Sequence, residues 1–274
     1  MLLTYPTSTA QWQWQEGQGL PYLTCTLLQN WCHGFFTQDF YPRPPESLID
    51  VLQPQAEVFR VKQVHGDRCL TPTEIHHVMQ LGETEDILPP ADAVITEGPN
   101  QAVWVASADC TPVLIGDRRT GRVAAIHAGW RGTAQRIVPK TIDRFLALGS
   151  QLPDLRIALG PAIAGEVYQV AQEVAVQVGQ SVLPNETEAV ILDQLSHQDN
   201  PPFLPDKDPG KVRLDVRRIN LLQLLDLGVT SEQMAISPCC TYQQPELFFS
   251  YRRTQEKKVQ WSGIVSRSGS NRVL

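Results

Sequence analysis

Residues 101–130 read QAVWVASADCTPVLIGDRRTGRVAAIHAGW, and the way this stretch is punctuated decides the fold. Three short β-rich runs, QAVWVAS, PVLIGD and RVAAIHA, are separated by Gly, Pro and Asp, which marks strands rather than helices. Working outward, EVFRVKQVHG (57–66) alternates well enough for a strand and ADAVITEG (91–98) is a further short one, so residues 57–130 form a sheet region. Downstream, Ile137, Val138, Ile142, Phe145 and Leu146 share one side of a helical period, with Arg136, Lys140 and Arg144 elsewhere. Gly149 stops this helix, and Pro139 demands a kink or a late start. LRIALGPA (155–162) is another strand, and AQEVAVQVGQSVL (171–183) and DVRRINLLQLLDLG (215–228) have helical spacing, the second closed by Gly228. SHQDNPPFLPDKDPGK (196–211) reads as a proline-rich loop, ELFFSYRR (246–253) and VQWSGIVS (259–266) as strands, and SGSNRVL (268–274) as a fraying tail.

The first fifty or so residues are rich in Gln, Trp, Tyr and Pro and end in YPRPPESL (41–48), which predicts an irregular N-terminal cover over 1–55. Adjacent strands with helices between them fit an α+β sandwich of mixed β-sheets covered by helices, in α/β/β/α layers, better than a regular βα alternation. A chain of 274 residues is compatible with one such domain spanning 1–274.

Hydrophobic residues make up 42% and charged residues 19%, an ordinary globular balance that excludes a fibrous or largely disordered chain. The net charge of −6 is spread without basic runs, so nucleic-acid polymer is not an expected partner. The start, MLLTYPTSTAQWQWQEGQG, lacks the pattern of a secretory signal, and no apolar run approaches the roughly 18 residues of a membrane span. A cytoplasmic protein with no membrane partner is expected, and the six cysteines, Cys25, Cys32, Cys69, Cys110, Cys239 and Cys240, read as thiols or metal ligands rather than disulfides.

His65 in VKQVHG, Cys110 in SADCTP and His127 in AAIHAGWRG each end a predicted strand at a turn. Strand ends aimed into one loop layer bring distant side chains together, and two imidazoles with one thiolate suit zinc at roughly 2.0–2.3 Å. A fourth position left open marks a catalytic zinc, because the ion can bind and acidify a water there. Spacing alone leaves other readings open: His65 as a surface loop residue, Cys110 as a small buried hydrophobe, His127 as a strand residue bonded to backbone.

ADCTPVLI (108–115), AAIHAGWRGT (124–133), ALGPAI (158–163), YQVAQEV (168–174) and FFSYRRT (248–254), in this order, resemble the bacterial purine nucleoside phosphorylase family formerly described as laccase-domain or polyphenol oxidase proteins. The match runs from about Val61 to Arg253, and an ADC cysteine ahead of HAGWRG is its most specific feature. The resemblance implies a cytoplasmic zinc enzyme that phosphorolyses adenosine, inosine and methylthioadenosine and deaminates adenosine. It implies metal ligation by the histidine of QVHG, the cysteine of ADC and the histidine of HAGWRG, here His65, Cys110 and His127. Purine nucleoside and phosphate are the implied partners. Copper, from the older label, is not expected, since one Cys and two His lack the many histidines of a multicopper cluster.

HAGWRGT reads as a strand-to-helix turn in which Gly129 and Gly132 permit close backbone approach and Arg131 either receives phosphate or pairs with a carboxylate. Trp130 either stacks a purine or packs. Asp109, as a catalytic-site candidate, either orients a ligand or carries protons. Tyr251, Arg252 and Arg253 belong to a run whose alternation sends the two arginines to opposite faces, with at most one at the site. Glu173 matches a family glutamate and is otherwise a surface residue. Cys240 matches the family's cysteine beside Thr241, with Cys239 next to it and neither having a ligand partner. His76 and His77 read as solvent-exposed in a polar loop. The family's HGFSTR-GGVS opening, SLNLG motif and asparagine-arginine helix are replaced here by HGFFTQDFYPRPPESL (33–48), which puts Gln38 at the arginine position and leaves out the glycine pair. Phosphate or ribose binding is therefore where this chain is expected to differ. Two other enzyme readings remain: a cysteine hydrolase of deamidase or peptidoglycan-editing type using Cys110 activated by His127, and a copper polyphenol oxidase. A structural zinc protein is the non-enzymatic alternative.

Overall fold

The β-rich runs around residues 101–130 form the centre of two stacked sheets in a computed structural model of the chain, which describes residues 9–81 and 88–269. In chain order the strands are β1 (Trp12–Gly17), β2 (Leu20–Cys25), β3 (His33–Phe36), β4 (Glu57–Phe59), β5 (Cys69–Leu70), β6 (Ala93–Ile95), β7 (Gln101–Ser107) and β8 (Thr111–Asp117). They continue with β9 (Val123–Ala128), β10 (Leu155–Leu159), β11 (Gln169–Ala171), β12 (Phe203–Pro205), β13 (Lys211–Leu214), β14 (Met234–Ile236) and β15 (Gln260–Val265). One six-stranded sheet has the order β1-β2-β3-β15-β7-β4 and the other β14-β10-β8-β9-β6-β5, while β11-β13-β12 make a small third sheet. Both large sheets are mixed: β4 runs parallel to β7 and β14 parallel to β10, among antiparallel neighbours. The helices are α1 (Pro45–Leu52), α2 (Pro72–Leu81), α3 (Trp130–Ala134), α4 (Ile137–Ala147), α5 (Gln172–Gly179), α6 (Glu188–Ser196), α7 (Val216–Asp226) and α8 (Tyr251–Thr254).

Alternation along the strands explains the layering. In β7, Val103 and Val105 join Phe35, Leu114, Ala125 and Ile264 between the two sheets, whereas Ala102 and Trp104 face outward onto Leu48 and Ile49 of α1. In β8 and β9, Val113, Ile115, Ala124 and Ile126 face the opposite outer layer, where Ile142 and Phe145 of α4 and Leu221 and Leu224 of α7 cover them. Each strand is thus buried on both faces, which is why these runs read as continuously apolar. Burying each large side chain contributes about 1.5–3 kcal/mol. Layers α1, sheet, sheet and α4/α7 reproduce the expected α/β/β/α arrangement.

Four expectations need correction. Residues 12–36, expected to be irregular, form β1, β2 and β3, because Trp12, Leu23 and Phe35 enter the inter-sheet core and β3 pairs with the distant β15. The prolines of 42–45 all lie after β3, and two of them open α1 at its N-cap and first turn. ELFFSYRR is no strand: Ser250 caps α8 by accepting from Arg253 N, and the Gln260 side chain takes the Phe249 N–H. The 196–211 loop contains β12, paired with β13. His76 and His77 lie on α2 rather than in a loop. Helix α4 starts late, as Pro139 requires, after Arg136 breaks the chain from α3 in a left-handed conformation (φ 61°). Gly228 ends α7 at φ 84° and Asp215 caps its start through Arg217 N and Arg218 N. Of the 268–274 tail, residues 270–274 lie outside the described residues.

Strand β7 belongs to one sheet and β8 to the other, so only Ala108, Asp109 and Cys110 carry the chain across. Three extended residues span about 10 Å, roughly the separation of stacked sheets, which leaves no slack in this crossing. Asp109 takes φ 99°, a conformation rare for a side-chain-bearing residue, and Cys110 is delivered at the edge of the inter-sheet core.

Candidate metal centre

His127 is the deepest of the three ligand candidates. It pairs with Pro112 in the β8/β9 register, so period-two alternation sends it and Cys110 toward the same inter-sheet face. His65 arrives from a loop whose path is set by backbone bonds from Lys62 N to Pro89 O and from Ala91 N to Lys62 O, and by the Gln63 side chain, which both donates to Ala106 O (2.8 Å) and accepts from Ala106 N (2.7 Å). The donor atoms of His65, Cys110 and His127 all lie within 4.8 Å of one another, and the two imidazole rings meet edge to face at 4.8 Å. Donors on one tetrahedral ion stand roughly 3.3–3.8 Å apart, so modest side-chain rotation closes this set onto an ion. Two nitrogens and one sulfur are the donor chemistry of zinc.

Asp92 builds the site. Its side chain is fully buried and accepts from Val64 N (3.1 Å), His65 N (2.9 Å), Gly66 N (2.7 Å) and His127 Nδ1 (2.8 Å). One carboxylate therefore holds the His65 loop, with His65 at φ 61°, and orients the His127 ring. A carboxylate only accepts, so Nδ1 carries a proton and Nε2 is the nitrogen that would bind a metal, releasing its own proton. Burial works to raise the Asp92 pKa, but the His127 hydrogen bond and the backbone N–H groups overcome it and hold the carboxyl below its usual range. Burial likewise opposes ionisation of Cys110, yet the adjacent His127 and His65 bring its thiol down to about 6. His127 is pushed up to about 9 against its burial, by Cys110 and Asp92. The three groups form a coupled set in which the sulfur is readily available as thiolate.

Gly129 and Gly132 are required by close approach. A Cβ on Gly129 would stand 2.8 Å from Cys110 Sγ and 3.4 Å from His65 Cδ2, and one on Gly132 would stand 2.8 Å from Gly66 O. The strand-to-helix turn after His127 thus lies directly against both other ligand loops. A cleft of about 410 Å3 opens over the triad, walled by Ser107, Ala108, Tyr251 and Trp261, with Glu256, Lys257 and Lys258 at its rim.

The other sequence candidates separate clearly. Asp109 accepts from Thr241 Oγ1 (2.8 Å) and from Arg252 N (2.7 Å), so both carboxylate oxygens are engaged and the orienting role is the one its geometry supports. Arg131 is exposed and rests on Trp130 (4.3 Å), with no carboxylate partner among the described residues; Trp130 itself packs against the α5/α6 core. Arg253 donates to the carbonyls of Thr241, Tyr242 and Phe248, a structural duty, whereas Arg252 lies over Tyr168 (4.7 Å) and donates to Gln169 O (2.7 Å). The two arginines do diverge, but on a helical turn rather than a strand. Glu173 is exposed in the first turn of α5. Cys240 accepts from Ala164 N through its sulfur, and burial raises the Cys239 thiol pKa, so both are structural. Gln38 donates to Pro245 O (2.8 Å), tying the replaced N-terminal segment to the chain just before α8. Sequence reasoning passed over Asp92, although a lone carboxylate between Ala91 and Ala93 in an apolar strand signals a buried acid that needs partners. Tyr168 and Thr241 gave no comparable signal.

A family model described as multi-copper polyphenol oxidoreductase laccase matches residues 46–266. A protein named purine nucleoside phosphorylase from Synechocystis is 64% identical over 258 residues, covering 93% of this chain and 97% of that one. A protein named adenosine deaminase, from an unknown prokaryotic organism, is 28% identical over 192 residues, covering 70% of this chain and 68% of its own. The solved Bacillus licheniformis protein called YfiH superposes with a TM-score of 0.73 at 26% identity, covering 90% of this chain and 96% of that one. No described helix is long and apolar enough to cross a membrane.

Proposed function

Since the chain belongs to the family described as multi-copper polyphenol oxidoreductase laccase, with a 64% identical relative named purine nucleoside phosphorylase, we propose that it is a zinc-dependent purine nucleoside phosphorylase. Its substrates on this reading are adenosine, inosine and methylthioadenosine, with adenosine deamination as a side activity. The observation that carries the metal-dependent reading is the His65, Cys110 and His127 set, oriented by a fully buried Asp92 beneath an open cleft. The deaminase part rests on the name of a more distant relative. Of the described His, Cys, Asp and Glu residues, this is the one group gathered closely enough to hold an ion. A multicopper oxidase needs several further histidines around it, so zinc fits the donor set and copper oxidase chemistry does not.

A bound zinc ion would supply Lewis acidity at the cleft. The chain's own residues do the rest: His65, Cys110 and His127 would hold the ion, Asp92 holds the His65 loop and orients the His127 ring, and Asp109 anchors the wall bearing Tyr251 and Arg252. In phosphorolysis a phosphate oxygen bonds to the anomeric carbon as the bond to the purine nitrogen breaks, and the proton of hydrogen phosphate ends on the departing base. Arg131 supplies positive charge for that phosphate. Deamination adds water at purine C6 and expels ammonia.

Incubating the zinc-loaded protein with adenosine and phosphate, then assaying adenine, ribose 1-phosphate and inosine, tests both reactions. Adenine with ribose 1-phosphate supports the phosphorylase; no turnover with zinc bound rejects it. Cys110, with its thiol near 6 beside His127, also suits a cysteine hydrolase. Zinc protection of Cys110 from alkylation favours the metal reading, and a covalent acyl-enzyme would favour the hydrolase.

A further inference from the structure

Two guanidinium groups beside the triad have no carboxylate to neutralise them. Among the described residues Arg131 and Arg252 form no ion pair, in a chain whose net charge is −6. They come from segments 121 positions apart, yet both are tied to the Asp109–Cys110 crossing. Arg252 reaches it through its own N–H on the Asp109 carboxylate (2.7 Å). Arg131 reaches it through Gly129, which sits against Cys110 Sγ.

Each guanidinium is braced on an aromatic ring, Arg131 on Trp130 and Arg252 on Tyr168, so neither must be immobilised when a ligand arrives. Arg252 spends one nitrogen on Gln169 O, and its side chain donates to no other acceptor among the described residues. The Tyr168 phenol lies within electrostatic reach of Cys110, Arg252, Asp109 and Arg131 together. Burial, first, and then Cys110 push its pKa to about 12, so it remains a protonated donor at neutral pH, and no hydrogen bond to its oxygen is made among the described residues. Arg253, by contrast, is fully spent on three carbonyls.

We propose that Arg131, Arg252 and the Tyr168 hydroxyl form a seat for a phosphoryl oxyanion beside the Asp109–Cys110 crossing. The ligand class is a tetrahedral dianion, inorganic phosphate, and the assignment rests on the phosphorylase reading.

Titrating inorganic phosphate into the zinc-loaded protein, followed by phosphorus NMR, reads the seat directly, and steady-state phosphorolysis of inosine reads it in turnover. Loss of a charge-assisted pair is expected to weaken phosphate binding about 10- to 100-fold in Arg252→Ala and in Arg131→Ala, and less in Tyr168→Phe. The phosphate KM rises by the same factor while the inosine KM moves far less, and Arg252→Lys recovers part of the loss. Phosphate binding by the wild type without any phosphorolysis would reject the phosphorylase reading and support the seat. Phosphorolysis with an unaltered phosphate KM in both alanine variants, each with full zinc content and a native melting profile, would overturn the seat and spare the reading.

Discussion

Two aspartates flank the ligand set, and they hold opposite sides of it by different means. Asp92 is fully buried and grips ligands directly, taking three N–H groups of the His65 loop and the His127 ring. Asp109 is only half-buried, sits at φ 99°, and grips the cleft wall through Thr241 Oγ1 and Arg252 N. The first holds the His65 loop and the His127 ring, and the second sets where residues of the cleft wall stand. Replacing either residue should therefore damage different properties.

The largest effect is expected at Asp92. In Asp92→Ala the three N–H groups and His127 Nδ1 lose their acceptor inside the core, at a cost of about 3–5 kcal/mol of folding stability for breaking a buried charged pair. Asp92→Asn keeps the volume but cannot accept from all of these donors, so it should bind zinc about 10- to 100-fold more weakly than wild type. Chelator competition measures the second value and urea unfolding the first. Wild-type zinc affinity in Asp92→Asn would remove the distinction drawn between the two aspartates.

Gly129→Ala comes next and acts on the same deep side. Gly129 has φ −70° and ψ 169°, which any residue adopts, so the new Cβ, 2.8 Å from Cys110 Sγ, is the whole perturbation. Overpacking of this kind costs about 1–3 kcal/mol. With cobalt substituted for zinc, the thiolate-to-metal absorption should shift and weaken; an unaltered cobalt spectrum would mean that the sulfur does not contact the ion.

The same contrast runs through what the sequence revealed. The β7–β8–β9 core was legible because its alternation is local and its punctuation falls where the sheets turn. The His65, Cys110 and His127 group was legible as motif positions, not from spacing. Asp92 was not, because its four partners come from residues 64–66 and 127, and long-range acceptance leaves no periodic trace. Strand β3 was missed for a similar reason, since its neighbour β15 lies more than two hundred residues away. FFSYRR alternates like a strand, but Arg253 pulls on three carbonyls and Gln260 occupies the Phe249 N–H, so tertiary hydrogen bonds decide its shape.

A smaller effect concerns thiol reactivity in the metal-free protein. Cys110 is brought to about 6 by His127 and His65, and His127 is in turn pushed up to about 9 by Cys110 first and then by Asp92, so Asp92 acts on the thiol one step away. The reactive thiolate is therefore present above pH 6 and lost below it, and zinc binding weakens along with it. Alkylation of the chelated protein should show a midpoint near pH 6. In Asp92→Asn the midpoint should move up, since an amide no longer favours the imidazolium, and a midpoint that stays in place would show that Asp92 acts on His127 through geometry alone.

Asp109→Asn should be the mildest of these changes. An asparagine can keep its oxygen on Arg252 N and turn its amide toward Thr241, whose hydroxyl accepts as readily as it donates. The net loss is one charge on a half-buried hydrogen-bonded pair, about 0.5–1.5 kcal/mol of stability. Zinc content and the alkylation midpoint should stay close to wild type, because Asp109 is not among the groups that set the Cys110 thiol. What should move is the KM for nucleoside, as α8 and Tyr251 relax at the cleft wall. If Asp109→Asn instead abolishes turnover while leaving zinc and KM in place, Asp109 is a proton carrier after all, and the division between a ligand-holding and a wall-holding aspartate fails on that side.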